Sequence, residues 1–264
     1  ADVDLGTKNI KNLADPIDNQ DAVTKQYVDL LQAQINNLQQ QLTSNLIAQY
    51  PAGSVFCASG PTQIVPVLNP ITGRTWMDRN LGASRAATSS TDVEAYGDLY
   101  QWGRRTDGHQ CRNSATTTVL SSVERPNHGD FIISNSSPWD WLVPQNDSSN
   151  LWDIGNYNNN NPCPTGYRVP TYMEINQEGL SWSQSNAEGA FASPLKLPMA
   201  GYRGDLVGNG SLNDVGTNGS YWSSSFFLSD VYNFYLSYGL GFVSNNAYIF
   251  NSARLFGDSI RCIK

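Results

Sequence analysis

The side chains able to do acid–base, nucleophilic or metal chemistry are few and scattered. His109 and His128 are the only histidines. Each lies in a polar stretch without paired cysteines or carboxylates at ligand spacing, so the sequence predicts no metal centre. The four cysteines, Cys57, Cys111, Cys163 and Cys262, form no C-x-x-C pair, which argues against zinc. They are too few for a disulfide scaffold at this length. Two disulfides and four buried thiols both stay open. Asp78 and Arg79, adjacent in W-M-D-R-N-L-G, are the one charged pair that invites a catalytic reading.

The background is equally poor in reactive groups. The chain has 264 residues, with 16 Lys+Arg against 23 Asp+Glu and a net charge of −7. That balance argues against a nucleic-acid partner, which requires a basic patch. Only 15% of residues are charged, yet 7 Trp, 13 Tyr and 9 Phe supply ample burial, so the chain is predicted to fold. No run approaches the eighteen apolar residues of a membrane-spanning helix, and no membrane insertion is expected. The opening A-D-V-D-L-G-T-K lacks the basic-then-apolar pattern of a signal peptide.

Two compositions meet near residue 50. Residues 1–50 hold no Trp, Phe or Cys, and residues 21–48 hold no Gly or Pro. The pattern predicts a helix over 22–46 with Asp21 as its N-cap. Val28, Leu31, Ile35, Leu38 and Leu42 recur at spacings of three and four, with Gln and Asn on the flanks. This is the narrow a/d seam of a coiled coil, and these five residues are the predicted oligomerisation contacts. An amphipathic helix folded onto its own domain is the alternative. The seam does not set the number of chains.

The segment upstream, with K-N-I-K-N-L-A-D-P over 8–16 and D-A-V-T-K-Q-Y-V-D over 21–29, resembles one common in bacteriophage tail fibres. There a short intertwined stretch leads into a trimeric helical stalk. The resemblance implies a homotrimer and a virion location.

After Q-Y-P-A-G (49–53), whose Pro and Gly end the helix, residues 51–264 share one composition and are predicted to form a single domain. Strands are expected at 63–67 and 74–77 around the turn N-P-I-T-G, and later at 221–225, 232–238, 247–250 and 259–263. Helices are expected at 91–102, with Thr91 and Glu94 as a capping box, and at 172–184, starting from Pro170 or Thr171. The long polar stretch 113–161 points to a fold tolerant of irregular structure. The class is α+β.

Several blocks of this domain are N-P-I-T-G-R-T-W-M-D-R-N-L-G-A-S (69–84), A-Y-G-D-L-Y-Q-W-G-R (95–104), D-G-H-Q (107–110) and N-P-C-P-T-G-Y-R-V-P-T (161–171). They continue as S-P-L-K-L-P-M-A-G-Y-R (193–203), G-S-Y-W-S-S-S (219–225) and a closing S-I-R-C-I-K. Together they resemble the Fibrobacter succinogenes major paralogous domain, across essentially all of 54–264. The resemblance implies a C-type-lectin-like fold, found on bacterial surface proteins and phage fibres. It also places Asp78 and Arg79 in a scaffold block, as a structural ion pair, and makes Cys163 and Cys262 buried or bridged.

The last part is similar to the variable region of targets of diversity-generating retroelements, bordered by Y-W-S-S-S and S-I-R-C. Between the borders the chain is rich in Tyr, Phe, Asn, Ser and Gly, which resembles a paratope of rigid rings and adaptable polar groups. Alternation over 232–238 predicts Tyr232, Phe234, Leu236 and Tyr238 inward, with Asn233, Tyr235 and Ser237 outward. Phe226, Phe227 and Leu228 read either as a buried strand or as an exposed apolar loop tip. Phe256 and Asp258, around Gly257, are further loop candidates, and Tyr248 and Phe250 share one strand face. The predicted ligand surface is therefore Phe226, Phe227, Leu228, Asp230, Asn233, Tyr235, Ser237, Leu240, Tyr248, Phe250, Phe256 and Asp258.

Lectins of this general fold often bind sugar through Ca²⁺ held by Glu-Pro-Asn or Gln-Pro-Asp plus Trp-Asn-Asp. Here V-P-Q-N-D (143–147) and Y-W-S-S do not reproduce that set. No cofactor is expected, with a structural Ca²⁺ on Asp and Asn oxygens left open. The expected function is receptor binding by a phage tail-fibre tip, to a bacterial surface polysaccharide or protein. The alternatives are a bacterial surface or secreted adhesin and, less favoured, a cysteine-dependent enzyme of the formylglycine-generating type.

Overall fold

The computed structural model describes residues 12, 14–15, 17–18, 23–58, 60–145, 151–152, 160–204 and 208–264. The chain divides into two compact units, residues 1–46 and 47–264. Most of the 8–16 motif, the Asp21 cap with Ala22, and Asn146–Asp147 of the V-P-Q-N-D string lie outside the described residues.

In the first unit, helix α1 spans Lys25–Ile47. It begins three residues later than the pattern predicts, because the Thr24 hydroxyl accepts from the Tyr27 amide (3.0 Å) and the Thr24 carbonyl from Val28. Its polar flank is laced at i,i+4 by Gln32–Asn36 and Gln41–Asn37 amide bonds. None of its described residues is buried within the single chain.

The second unit mixes short helices and sheets, as an α+β class requires. Strands β1 (Pro66–Asn69) and β2 (Arg74–Met77) form an antiparallel hairpin around the predicted turn. Where a helix was predicted over 91–102, only the 3-10 turn Val93–Ala95 forms. Its cap is Asp92, not Thr91, and Glu94 instead reaches the Ser84 hydroxyl. Gly97 ends the turn at φ +67°, where a Cβ would stand 2.2 Å from the Leu81 carbonyl. The chain then extends into β3 (Tyr100–Gln101).

The long polar stretch contributes β4 (Thr116–Thr117) and β5 (Phe131–Ile132), which pair in parallel. Helix α2 (Tyr172–Leu180) starts at the Thr171–Glu174 capping box and stops at Leu180, short of the predicted Gln184. Helix α3 (Ala187–Ala192) follows, then β6 (Tyr202–Arg203) and β7 (Leu212–Asn213). The chain ends with β8 (Gly219–Leu228), β9 (Tyr235–Val243), β10 (Asn246–Ser252) and β11 (Gly257–Asp258). One sheet has the order β10-β9-β8, and a second β3-β11-β6-β7.

The main core lies between the β10-β9-β8 sheet and helices α2 and α3. Tyr221, Leu240 and Phe242 from the sheet meet Ile175, Trp182, Ala190 and Leu197 there. The C-terminal segment passes through the interior. Ile263 bridges both Trp76 and Arg168, Ser259 bridges Tyr221, and Cys262 receives the Met77 amide. All four cysteines are paired, as Cys57–Cys111 and Cys163–Cys262. The second pair closes a separation of 99 residues between two buried positions. Opening so long a loop restores much chain entropy to the unfolded state. Replacing Cys163 and Cys262 together by Ala is therefore expected to lower the unfolding free energy by about 2–5 kcal/mol, read from urea denaturation.

Candidate binding surface

Of the predicted ligand residues, Phe226, Phe227, Leu228, Asp230, Asn233 and Tyr235 lie at the turn end of the β8–β9 hairpin, and the local sequence explains its shape. Trp222 faces Gly239 and Phe226 faces Ser237, so three serines of β8 oppose one residue, Tyr238. Serines fit because each hydroxyl has a backbone partner. Ser223 donates to the Tyr238 carbonyl, Ser224 to the Pro170 carbonyl, and Ser225 accepts from the Tyr172 amide. The irregular stretch is thereby fastened to the start of α2.

Beyond it the strands run on to Leu228 and Tyr235, joined by the turn Ser229–Phe234. The Ser229 carbonyl accepts from Asn233 (2.7 Å), its amide donates to Phe234, and its hydroxyl accepts from Tyr232. Asn233 sits at φ +55°, a conformation asparagine tolerates. These bonds hold 232–234 in the turn, so β9 starts at Tyr235 rather than at the predicted Tyr232. The turn holds Val231 (84% exposed) and Tyr232 (61%) outward, beside Leu228 at the end of β8 (48%), while Phe234 turns inward. Asp230 and Asn233 are exposed beside them.

Beneath the turn is a rigid base. Phe226 and Tyr235 are half-buried and meet edge to face, with centroids 5.8 Å apart. The Arg254 guanidinium lies beneath both, 5.0 Å from the Phe226 ring, 5.3 Å from Tyr235 and 4.3 Å from Trp102. Arg254 is buried with Asp140, 4.0 Å away. Burial moves Arg254 down to about 10 and pushes the Asp140 carboxyl up, each opposed by the other's charge. The Gln145 amide completes the base by pairing with both backbone groups of Tyr235, at 2.7 and 3.1 Å. On the other side Phe227 stacks on Tyr238, and Tyr238 meets Tyr172, each at 4.8 Å.

Three predicted contacts do not belong to any surface. Ser237 is fully buried in the middle strand of the sheet, between Phe226 of β8 and Ser252 of β10. Leu240 packs in the main core with Tyr221 and Phe242. Asp258 is buried in the central strand β11, between β3 and β6. Of the residues predicted inward, Phe234 and Leu236 are buried, but Tyr232 is exposed and Tyr238 half-buried. Tyr248 and Phe250 lie over Gly241 and Gly239 of β9, where a Cβ would stand 2.7 and 2.2 Å from their rings. Phe250 is half-buried against Trp222, and Tyr248 is 39% exposed. Phe256 is half-buried in a small cluster with Phe234, Leu236 and Ala253. Alternation placed Tyr232 inward and did not find Val231, Arg254 or Gln145; the clustered Ser-Asp before Val231 was the available turn signal.

Of the reactive groups considered first, His109, the four cysteines, Asp78 and Arg79 are tied up in scaffold contacts, while His128 is exposed. His109 is buried, with Nδ1 2.6 Å from Asp107 and Nε2 accepting from the Gln101 amide. Burial brings its pKa down to about 4, so the ring is neutral. Arg79 forms a two-pronged pair with Asp78 at 2.7 and 2.9 Å and donates to the Ser84 carbonyl. Among the described residues no group of three His, Cys, Asp or Glu is placed to hold a metal. No described helix is long and apolar enough to cross a membrane.

The burial of Asp258 has a measurable consequence. Removal from water raises its carboxyl from 3.8 to about 7, against a Ser220 hydrogen bond that favours the charged form. Between those values the folded chain keeps a proton that the unfolded chain has released, so this group's contribution to stability falls as pH rises from about 4 to 7. Asp98, raised by burial to about 7, acts in the same sense, while His109 acts oppositely between about 4 and 6.5. Asp258→Asn is expected to lose less stability than the native chain between pH 4.5 and 7.5, by roughly 2–4 kcal/mol in urea unfolding. Comparison with family models, with curated proteins and with solved structures returns no match to this chain.

Proposed function

We propose that the protein is the receptor-binding tip of a bacteriophage tail fibre. In this reading α1 builds a trimeric stalk, and residues 51–264 form a C-type-lectin-like head. The head binds a bacterial surface polysaccharide or protein through the β8–β9 end. The observation that carries the proposal is the turn Ser229–Phe234, which holds Val231 and Tyr232 out in water. An exposed apolar group costs solubility unless a partner covers it. Exposed rings and aliphatics on a base already braced by Arg254, Trp102 and Gln145 lose little freedom on binding, which is how a contact surface gains affinity. The resemblance of the sequence blocks to the lectin-like family supports the same surface as the variable one.

The stalk reading is supported by α1. Val28, Leu31, Ile35, Leu38 and Leu42 are all exposed in the single chain, between 40% and 69%. A lone helix of this length is marginal in water, and partner chains would bury the seam. Three linked heads would then amplify weak single-site contacts.

Two measurements test the proposal. Replacing Leu228, Val231 and Tyr232 together by Ser is expected to weaken binding of the labelled protein to a panel of bacterial isolates and their purified surface polysaccharides by at least about tenfold, with little change in Tm. Native binding retained by this variant would refute the surface. Deleting residues 25–44 is expected to leave a folded head that is monomeric by light scattering. A trimer that persists would refute the stalk.

A further inference from the structure

The two disulfides differ in how far solvent reaches them. Cys163 and Cys262 are buried, whereas Cys57 is exposed and Cys111 half-buried. Exchange at a disulfide needs room for an attacking thiolate, so access separates a structural pair from a labile one.

The two sides of the exposed pair are also held unequally. Cys111 sits in a fixed loop. Its amide donates to the Gly108 carbonyl (3.2 Å), and its carbonyl accepts from the Ser114 amide (2.9 Å) and from Arg203 Nη1 (2.9 Å). Cys57 lies in the segment 51–58 between α1 and β1, where Pro51, Ala52, Gly53, Val55 and Ala58 are exposed as well. Val55 ties this segment to the head, its amide donating to the Thr106 carbonyl (2.9 Å) and its carbonyl accepting from Gln110 Nε2 (2.8 Å). The same Gln110 nitrogen donates to Cys57 Sγ at 3.5 Å. A donor at that sulfur favours its thiolate form, which makes Cys57 the better leaving group when Cys111 Sγ is attacked.

We propose that Cys57–Cys111 is a redox-operated clasp: a small-molecule thiol opens it in the folded chain and loosens the segment 51–58, while Cys163–Cys262 stays closed. The reductant thiolate attacks Cys111 Sγ, the S–S bond breaks, and the electron pair leaves on Cys57 Sγ. A second reductant thiolate attacks the reductant sulfur of the mixed disulfide, and Cys111 Sγ leaves. The products are two protein thiols and one reductant disulfide, with both protons supplied by the reductant thiols. Opening removes the covalent hold on Cys57 and leaves the backbone bonds of Cys111 in place, so the head keeps its fold. Phe56, half-buried edge to face with Tyr50 at 5.3 Å between centroids, is the large side chain that the closed clasp keeps seated. The clasp stands independently of the β8–β9 reading.

The test treats the full native chain with an excess of reduced glutathione, quenches with iodoacetamide and maps the alkylated cysteines by mass spectrometry. Cys57 and Cys111 are expected to be labelled at least about tenfold faster than Cys163 and Cys262. In the same samples chymotrypsin is expected to cut after Phe56 at least about tenfold faster than in the oxidised chain. Replacing Cys57 and Cys111 together by Ala fixes the open state without reductant, and this variant should be cut at the rate of the reduced chain. If it does not fold, the reduced native chain decides the comparison. The proposal is overturned if both pairs are labelled together, or if Cys57–Cys111 stays closed until urea unfolds the chain. It is also overturned if the open chain is cut after Phe56 no faster than the closed one.

Discussion

Every backbone carbonyl taken out of water needs a donor, and a fold with short strands and long connections leaves many carbonyls outside any ladder. In the unit 47–264, arginine and tryptophan side chains supply those donors. Arg104 donates to the carbonyls of His128 and Asp130, Arg112 to Gly97 and Ala200, and Arg203 to Gly210, Cys111 and Ser114. Arg261 donates to Met77 and Leu195. The indoles of Trp102, Trp141, Trp152 and Trp222 reach the carbonyls of Ser223, Trp102, Arg104 and Tyr100. These cross-ties hold the irregular connections where no sheet ladder reaches.

The arrangement explains why burying guanidiniums is tolerable here. An isolated buried charge is costly, but a fork that satisfies several oxygens recovers much of that cost. Arg261 illustrates the balance. Burial depresses its pKa to about 10, and its Nε and Nη2 also hold Asn80 Oδ1 at 3.1 and 2.9 Å. Asn80 in turn donates to the Tyr96 carbonyl and the Tyr221 hydroxyl. One side chain near the C-terminus thereby fastens segments around residues 77–81, 96, 195 and 221. Few charges overall, and many of them internal, leave an outer surface poor in charge.

The β8–β9 end is braced by the same device. Arg254 is the arginine placed under the β8–β9 end, where its guanidinium lies against the rings of Phe226, Tyr235 and Trp102. The ring faces of Phe226, Tyr235 and Trp102 attract its positive charge and brace the aromatic base, while the turn above carries the exposed side chains. Substitution at Val231 or Tyr232 changes what the surface offers without touching the base.

Local chemistry settled much of this protein from its sequence alone. The Gly/Pro-free heptad pattern specified α1, N-P-I-T-G the β1–β2 turn, and Thr171 with Glu174 the start of α2, because periodicity, turn residues and caps act over a few residues. Tertiary structure decided what depends on distant partners. Gly97 against the Leu81 carbonyl cancelled a helix over 91–102, and the Ser229 bonds to Tyr232, Asn233 and Phe234 moved the start of β9 and turned Tyr232 outward. Ser237, placed outward by alternation, and Asp258, read as part of a loop around Gly257, are buried by strands that pair across the fold. Alternation can divide a strand into two faces; which face meets water depends on what packs against it, and that contact is made by residues far away in the chain.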